Sequence, residues 1–293
     1  MQKIKLITDS GSDIEKTFAE QLDIEILSFN VLLDGKDYKD GVDYTADEFY
    51  DLFEKANELP KTGQILPQDF EDAYKNAFDE GYTDIIYYSL ASIGSGTYFN
   101  SIKAKDKFFE ENPDAKINIY LIDSKTYSGT YGSAVINASH KIKKGETASE
   151  IVEYLKEWAD CAEVYFAPFT LKYVRKSGRI SAAAAFAGEL LGLRPIIGFI
   201  EAISKVVDKA RGDKNVVPHL LKVVSENIIP KTPYYLLITR DDEHAKELLS
   251  AATKTFGYPP EHTFKVGATI ATHAGPSLVG VAYRGKMRNG GNG

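Results

Sequence analysis

The sequence predicts an α/β protein: a parallel, doubly wound sheet in the first half and a second α/β unit with a mixed sheet after it. Two observations carry that expectation. Apolar runs at Ile4–Thr8, in the first half of Asp84–Tyr98 and at Lys116–Ile122 each give way to a loop of small and hydroxylated residues, then to residues at helical spacing. Such recurrence implies parallel strands whose ligands gather beyond their carboxyl ends. In addition, the 293 residues exceed the usual span of one core, so two units are expected. We place them at residues 1–160 and 161–285, with 286–293 a Gly- and Asn-rich tail expected to be disordered.

Taken in order, the first strand ends in Asp9-Ser10-Gly11-Ser12-Asp13, a polar turn able to cap a helix from Ile14 to Gln21. A second strand spans Ile24 to Leu33 and turns back at Asp34-Gly35, a strong hairpin signal. Thr45 with Glu48 opens a helix through Ala56. The connection Leu59 to Asp69 carries two prolines; it either presents Thr62 and Gln64 in fixed positions to a site or is a solvated connector. A further helix runs to Glu80. After the second and third parallel strands and their helices, Thr147 and Glu150 read as a capping box for a helix to Trp158.

The second half contains expected strands at Glu163–Pro168, Arg194–Phe199, Ala202–Lys209, Tyr234–Thr239 and Phe264–Ile270. Helices are expected at Val216–Asn227 and Asp242–Phe256. Its closing loop is Thr272 to Ser277, and the chain is expected to fray from Arg284. Between the first two strands lie a basic segment, Leu171 to Ser181, and an Ala-rich stretch, Ala182 to Leu193, whose small side chains either pack a helix closely or leave a tunnel open.

Composition narrows the partners. The chain is 43% hydrophobic and 26% charged, which excludes disorder. A net charge of −7 argues against nucleic acid or an anionic membrane as the main partner, and against stable membrane insertion no uninterrupted apolar span of membrane length occurs. The lone Cys161 lacks a partner at disulfide or metal-ligand spacing, so a packed thiol in a reducing cytoplasm is expected.

The chemistry concentrates in the loop after the second parallel strand, Ser92-Ile93-Gly94-Ser95-Gly96-Thr97. The first N–H groups of a helix lack intrahelical partners and carry the positive end of its dipole, so an anion is their natural guest. Gly94 and Gly96 permit close backbone approach, and Ser92, Ser95 and Thr97 supply hydroxyls. A loop that only caps the helix fits the same residues. Asp123-Ser124-Lys125 follows the third strand in the same way. His273, before Gly275-Pro276, can donate to a bound carboxylate through one ring nitrogen, or be satisfied by a loop carbonyl.

Together, Thr8-Asp9-Ser10, Lys61-Thr62-Gly63-Gln64, Ser92 to Tyr98, Ile122-Asp123-Ser124-Lys125, Leu171 to Ser181 and His273-Ala274-Gly275-Pro276 resemble, in order and spacing, the DegV family. The resemblance spans about residues 3–285 and points to a fatty-acid-binding protein similar to the FakB subunits of bacterial fatty acid kinase. It implies a two-domain fold enclosing one long-chain fatty acid, with no other cofactor and no metal. It also implies a separate, FakA-like kinase subunit that phosphorylates the carboxylate to acyl phosphate for phospholipid synthesis. By that resemblance Thr62, Ser92 and His273 hold the carboxylate, with Gln64, Ile93, Gly94, Ser95, Gly96, Thr97, Ser124 and Gly275 around it. Arg179, with Lys176, faces the kinase. The sequence departs from the family pattern at Gly63-Gln64-Ile65-Leu66, which lacks a hydroxyl and a proline. It departs again at Ile93, where glycine is usual and where a larger side chain is expected to narrow the approach to the head group.

Residue chemistry favours a fatty acid over a phosphate ester. Hydroxyls, helix N–H groups and one imidazole suit a single negative charge, while no Walker A loop or paired arginine fork is present. Burying about fourteen methylenes at roughly 0.8 kcal/mol each gives on the order of 11 kcal/mol before association costs. A non-catalytic carrier is therefore expected. The alternatives are a hydrolase or phosphotransferase using Ser92 or Ser95 with His273, or a lipid-sensing regulatory module; no Gly-x-Ser-x-Gly elbow supports the hydrolase.

Overall fold

The structure, a computed structural model, describes residues 2–186, 192–200 and 202–287. Three sheets organise it. The first is four-stranded and wholly parallel: β1 (Ile4–Asp9) is flanked by β2 (Ile24–Leu27) and β6 (Asp84–Ser89), and β7 (Asn118–Asp123) lies beyond β6. A small antiparallel sheet holds β3 (Asn30–Leu33) between β4 (Lys36–Lys39) and β5 (Lys61–Gly63). The expected strand Ile24 to Leu33 is therefore two strands in two sheets. The break at Ser28-Phe29 is fixed where the Ser10 hydroxyl accepts the Phe29 N–H at 3.1 Å. The connector expected after Leu59 contributes β5, which pairs Thr62 with Val31 and so removes Thr62 from free solution.

The third sheet has six strands in the order β10 (Ile203–Arg211), β9 (Leu193–Ile200), β8 (Ala162–Pro168), β13 (Leu278–Arg284), β11 (Tyr234–Ile238), β12 (His262–Lys265). Only β11 and β12 run parallel. The sheet is mixed, as expected, but two sequence assignments give way. β12 ends at Lys265, and Ala268–Ala274 is a helix, not strand and loop. Residues Leu278–Arg284, where fraying was expected from Arg284, form a central strand paired to β8 on one side and β11 on the other. Local propensity could not separate strand from helix in Ala268-Thr269-Ile270-Ala271, where two β-branched residues lie between alanines. The tail positions 288–293 and the middle of the Ala-rich stretch, 187–191, lie outside the described residues.

The helices follow the sheets: α1 (Lys16–Leu22), α2 (Ala46–Lys55), α3 (Pro67–Asp79), α4 (Thr97–Glu111), α5 (Gly129–Lys143), α6 (Ala148–Cys161), α7 (Val174–Ser177), α8 (Ser181–Ala184), α9 (Val216–Asn227), α10 (Glu243–Phe256) and α11 (Ala268–Ala274). The predicted capping box of Thr147 with Glu150 forms, and the predicted N-cap Thr45 forms one as well, with Glu48. Among the described residues no helix is long and apolar enough to cross a membrane.

Strand alternation sorts the six-stranded sheet onto two cores. Tyr165, Ala167, Leu236, Ile238, Val279 and Val281 face α9 and α10. Their neighbours Val164, Phe166, Tyr235, Leu237 and Leu278 join the core of the parallel sheet. The long helix α5 is buried along most of its length and touches both β1 and β11; Trp158 on α6 donates to the Thr130 carbonyl at 3.0 Å to fix it. Cys161 is a buried thiol. Because the Thr147 box satisfies the N–H groups of both Thr147 and Glu150 at the start of α6, Thr147→Ala should lower unfolding stability by about 1 kcal/mol, read as a shift in the urea midpoint with unchanged m.

Candidate functional site

The loops after β1, β6 and β7 converge at one end of the parallel sheet, where α11 and the six-stranded sheet close over them. The loop after β1 is built around Asp9. This carboxylate accepts from Gly11 N–H and Leu90 N–H at 3.2 and 2.9 Å, and from the hydroxyls of Tyr87 and Tyr131 at 2.8 and 2.5 Å. Asp9 is fully buried, and desolvation pushes its carboxyl up to about 6 against the pull of those donors. Its work is structural: it ties the start of the 90–96 loop to β1 and α5.

α11 is positioned by two more buried carboxylates. Asp13 accepts Gly267 N–H at 2.9 Å and the Ser128 hydroxyl; Asp40 accepts Thr269 N–H and its hydroxyl at 3.0 and 2.6 Å. Both sit at the helix N-terminus, where backbone donors and dipole favour negative charge. Burial nevertheless raises both, Asp13 strongly.

At the other end of α11, His273 Nε2 lies 2.9 Å from Thr62 Oγ1, joining residues 211 apart in sequence. The Nδ1 atom is buried with no hydrogen-bond partner among the described residues. Desolvation, followed by the charge of Arg179, pushes the imidazole down to about 4, so it is neutral near pH 7. When Thr62 donates to Nε2, the ring proton sits on Nδ1, leaving an unsatisfied buried donor that costs about 1–3 kcal/mol.

His273 and Thr62 stand at the wall of a cavity between the sheets. Its apolar part is lined by Phe29, Leu90, Val164, Phe166, Ile180, Phe199, Leu237, Val266, Ile270 and Leu278; its polar part by Thr62, Gln64, Gly94, Ser95, Gly96, Ser128, Thr269, His273 and Arg179. The two glycines are there for close approach: a Cβ on Gly96 would lie 2.6 Å from the Gln64 amide, and one on Gly94 would lie 2.8 Å from the Tyr127 ring. Gln64 is held in turn by Asn100 of α4, which donates to its Oε1 at 3.1 Å and to the Ile65 carbonyl at 2.9 Å.

Other expected site residues stand back from this cavity. Ser92 donates from N–H and hydroxyl to Asp123 at 3.1 and 2.5 Å, and lines an outer pocket instead. Ile93 is 68% exposed at the same outer pocket. Thr97 is buried against Ser95 Oγ and the Ile65 N–H; Ser124 turns inward and bonds within its own loop to Thr126; Gly275 ends α11 at positive φ. Neither Ser92 nor Ser95 is hydrogen-bonded to His273. Arg179 lines both cavity and outer pocket, while Lys176 lies exposed on α7. Few of the lining residues contributed by the six-stranded sheet and α11, such as Phe166, Leu237 and Ile270, carry any sequence signal beyond hydrophobicity. Tyr127 and Ser128 lay in a flagged loop with nothing to single them out. The Ala-rich stretch contributes none of the described lining.

A largely apolar cavity with one polar end, enclosed between a parallel and a mixed sheet, defines a class of α/β protein suited to a single amphiphilic molecule. The DegV family model, described as "Uncharacterised protein, DegV family", matches residues 3–286, and the chain belongs to that family. A DegV domain-containing protein of Clostridium perfringens is 32% identical over 96% of this chain and 98% of its own length. Among solved structures, "Fatty Acid Binding of a DegV family Protein from Thermus thermophilus" aligns with TM-score 0.84 at 28% identity, covering 97% of this chain and all, 100%, of that one. A stearic acid-binding protein from Eubacterium ventriosum aligns with TM-score 0.87 at 25% identity, over 97% of this chain and 98% of its own.

The depressed His273 has a stability consequence. Between about 4 and the unfolded value of 6.5 the unfolded chain binds the extra proton, so stability rises with pH across that window and is lost as pH falls through it. The slope from one such group is about 1.4 kcal/mol per pH unit at most. His273→Gln should flatten urea-unfolding stability between pH 6.5 and pH 4.5 relative to the parent; an unchanged slope would assign the acid sensitivity to other groups.

Proposed function

We propose that this protein is a carrier that binds one long-chain fatty acid between its sheets and presents the carboxylate to a separate kinase subunit for conversion to acyl phosphate. The observation that carries the binding step is the buried, neutral His273, bonded to Thr62 and with Nδ1 unpartnered, at the polar end of an otherwise apolar cavity. A carboxylate oxygen satisfies that donor, with Ser95 and Gln64 within the same polar wall. The hydrocarbon tail then follows Phe29, Phe166, Phe199 and Leu237, gaining about 25 cal/mol for each Å² of apolar surface removed from water. Dividing the chain near residue 160 puts Thr62, Gln64 and the 94–96 loop on one side of the ligand and His273, Phe166 and Phe199 on the other. The fatty acid binding described for the Thermus thermophilus and Eubacterium ventriosum relatives supports this reading.

Handover to a kinase rests on the exposure of Arg179 at the outer pocket and on the basic run it shares with Lys176. Solvent extraction of natively purified protein followed by mass spectrometry should recover one long-chain acid per chain. Absence of any bound acid, together with no uptake of added oleate, would refute the carrier. Thr62→Val and His273→Ala should each weaken acid binding by about 1–3 kcal/mol, measured by calorimetry. Arg179→Ala should cut acyl phosphate formation with a kinase subunit more than it cuts acid binding; equal losses would make Arg179 part of the pocket alone.

A further inference from the structure

The cavity and the outer pocket share Gly94, Ser95, Gly96, Tyr127 and Arg179, so the two adjoin across these residues. Tyr127 is the bulkiest side chain common to both. Its ring centroid lies 4.5 Å from that of Phe199, its hydroxyl donates to the Ala202 carbonyl at 3.3 Å, and its edge rests where a Cβ on residue 94 would stand. The contacts span three separate segments: the glycine loop, β9 and the β9–β10 turn. None is strong by itself, since the hydrogen bond is long and the ring pair is tilted.

The backbone beside this ring is held in an uncommon conformation. Lys125 has φ 54°, and Ser128 has φ 59° with ψ −157°, a region that side chains other than glycine rarely adopt. Ser128 is kept there by its hydroxyl bond to the buried Asp13, the same carboxylate that holds the start of α11. The anchor is therefore rigid and tied to the helix that bears His273, while the Tyr127 side chain meets its neighbours only through separable contacts.

We infer that Tyr127 is a side-chain gate between the outer pocket and the apolar cavity, and that its swing away from Phe199 and Ala202 admits and releases the amphiphilic ligand. The inference rests on the carrier reading above and adds to it the route of exchange. A gate differs from a wall in its kinetics. Removing a wall contact speeds dissociation alone, whereas removing a barrier speeds association and dissociation together.

Stopped-flow fluorescence with cis-parinaric acid, on the full chain stripped of endogenous lipid, tests this directly. Tyr127→Ala should raise both rate constants by about tenfold, the upper range for loss of one aromatic pair. Tyr127→Phe keeps the ring on Phe199 and loses only the hydroxyl bond to Ala202, so both rates should rise by a smaller factor, about threefold. If the alanine variant does not fold, the phenylalanine variant decides alone. A rise in dissociation without association, or no change in either, overturns the gate while leaving the carrier in place. Failure of the unaltered protein to bind the probe overturns the carrier, and the gate falls with it.

Discussion

The N-terminus of α11 is held by carboxylates contributed from the far end of the chain, and the site depends on that tie. Asp13 and Asp40 are buried without cationic partners among the described residues; what stabilises them is the set of backbone N–H and hydroxyl donors at a helix start. Loss of either would leave helix donors unsatisfied. Because His273 sits in the last turn of the same short helix, its place against Thr62 follows from where those two carboxylates hold the first turn.

Around that fixed helix the cavity separates two kinds of chemistry. Strand alternation on β8, β9 and β11 supplies the apolar wall, and the loops at the carboxyl ends of the parallel strands supply the polar one. Polar groups of that wall are engaged with neighbours, Ser95 with Thr97 and Gln64 with Asn100. Among the described residues, the buried His273 Nδ1 has no such partner. In a site whose lining is mostly apolar, affinity comes from the tail, and the few open polar groups, His273 Nδ1 and the Arg179 guanidinium among them, set orientation.

Much of this was legible in the chain. Asp34-Gly35 gave the hairpin, the Thr-x-x-Glu boxes gave two helix starts, and the strand–loop–helix rhythm gave the parallel sheet. These signals are local: turn chemistry and caps act within four residues, so reading them needs no partner. The errors fell where local preference is balanced. Ala268 to Ala274 is helical because Gly267 and Thr269 donate to Asp13 and Asp40, a choice made by residues more than two hundred positions away. Arg284, where fraying was expected, instead ends a strand, Leu278 to Arg284, that β8 and β11 flank.

Composition and spacing by themselves thus determined the α/β class, the strands of the parallel sheet, two helix caps, and the gathering of glycines and hydroxyls after β6 and β7. Tertiary structure decided which of those groups face the cavity. Ser92 turned to Asp123, Ser124 turned into its own loop, Thr62 was carried to His273 by strand pairing, and Tyr127 came to stand between two compartments. The reason is physical: a hydroxyl is satisfied by whichever acceptor the fold brings within about 3 Å, and a chain shows its residue types but not its neighbours across space.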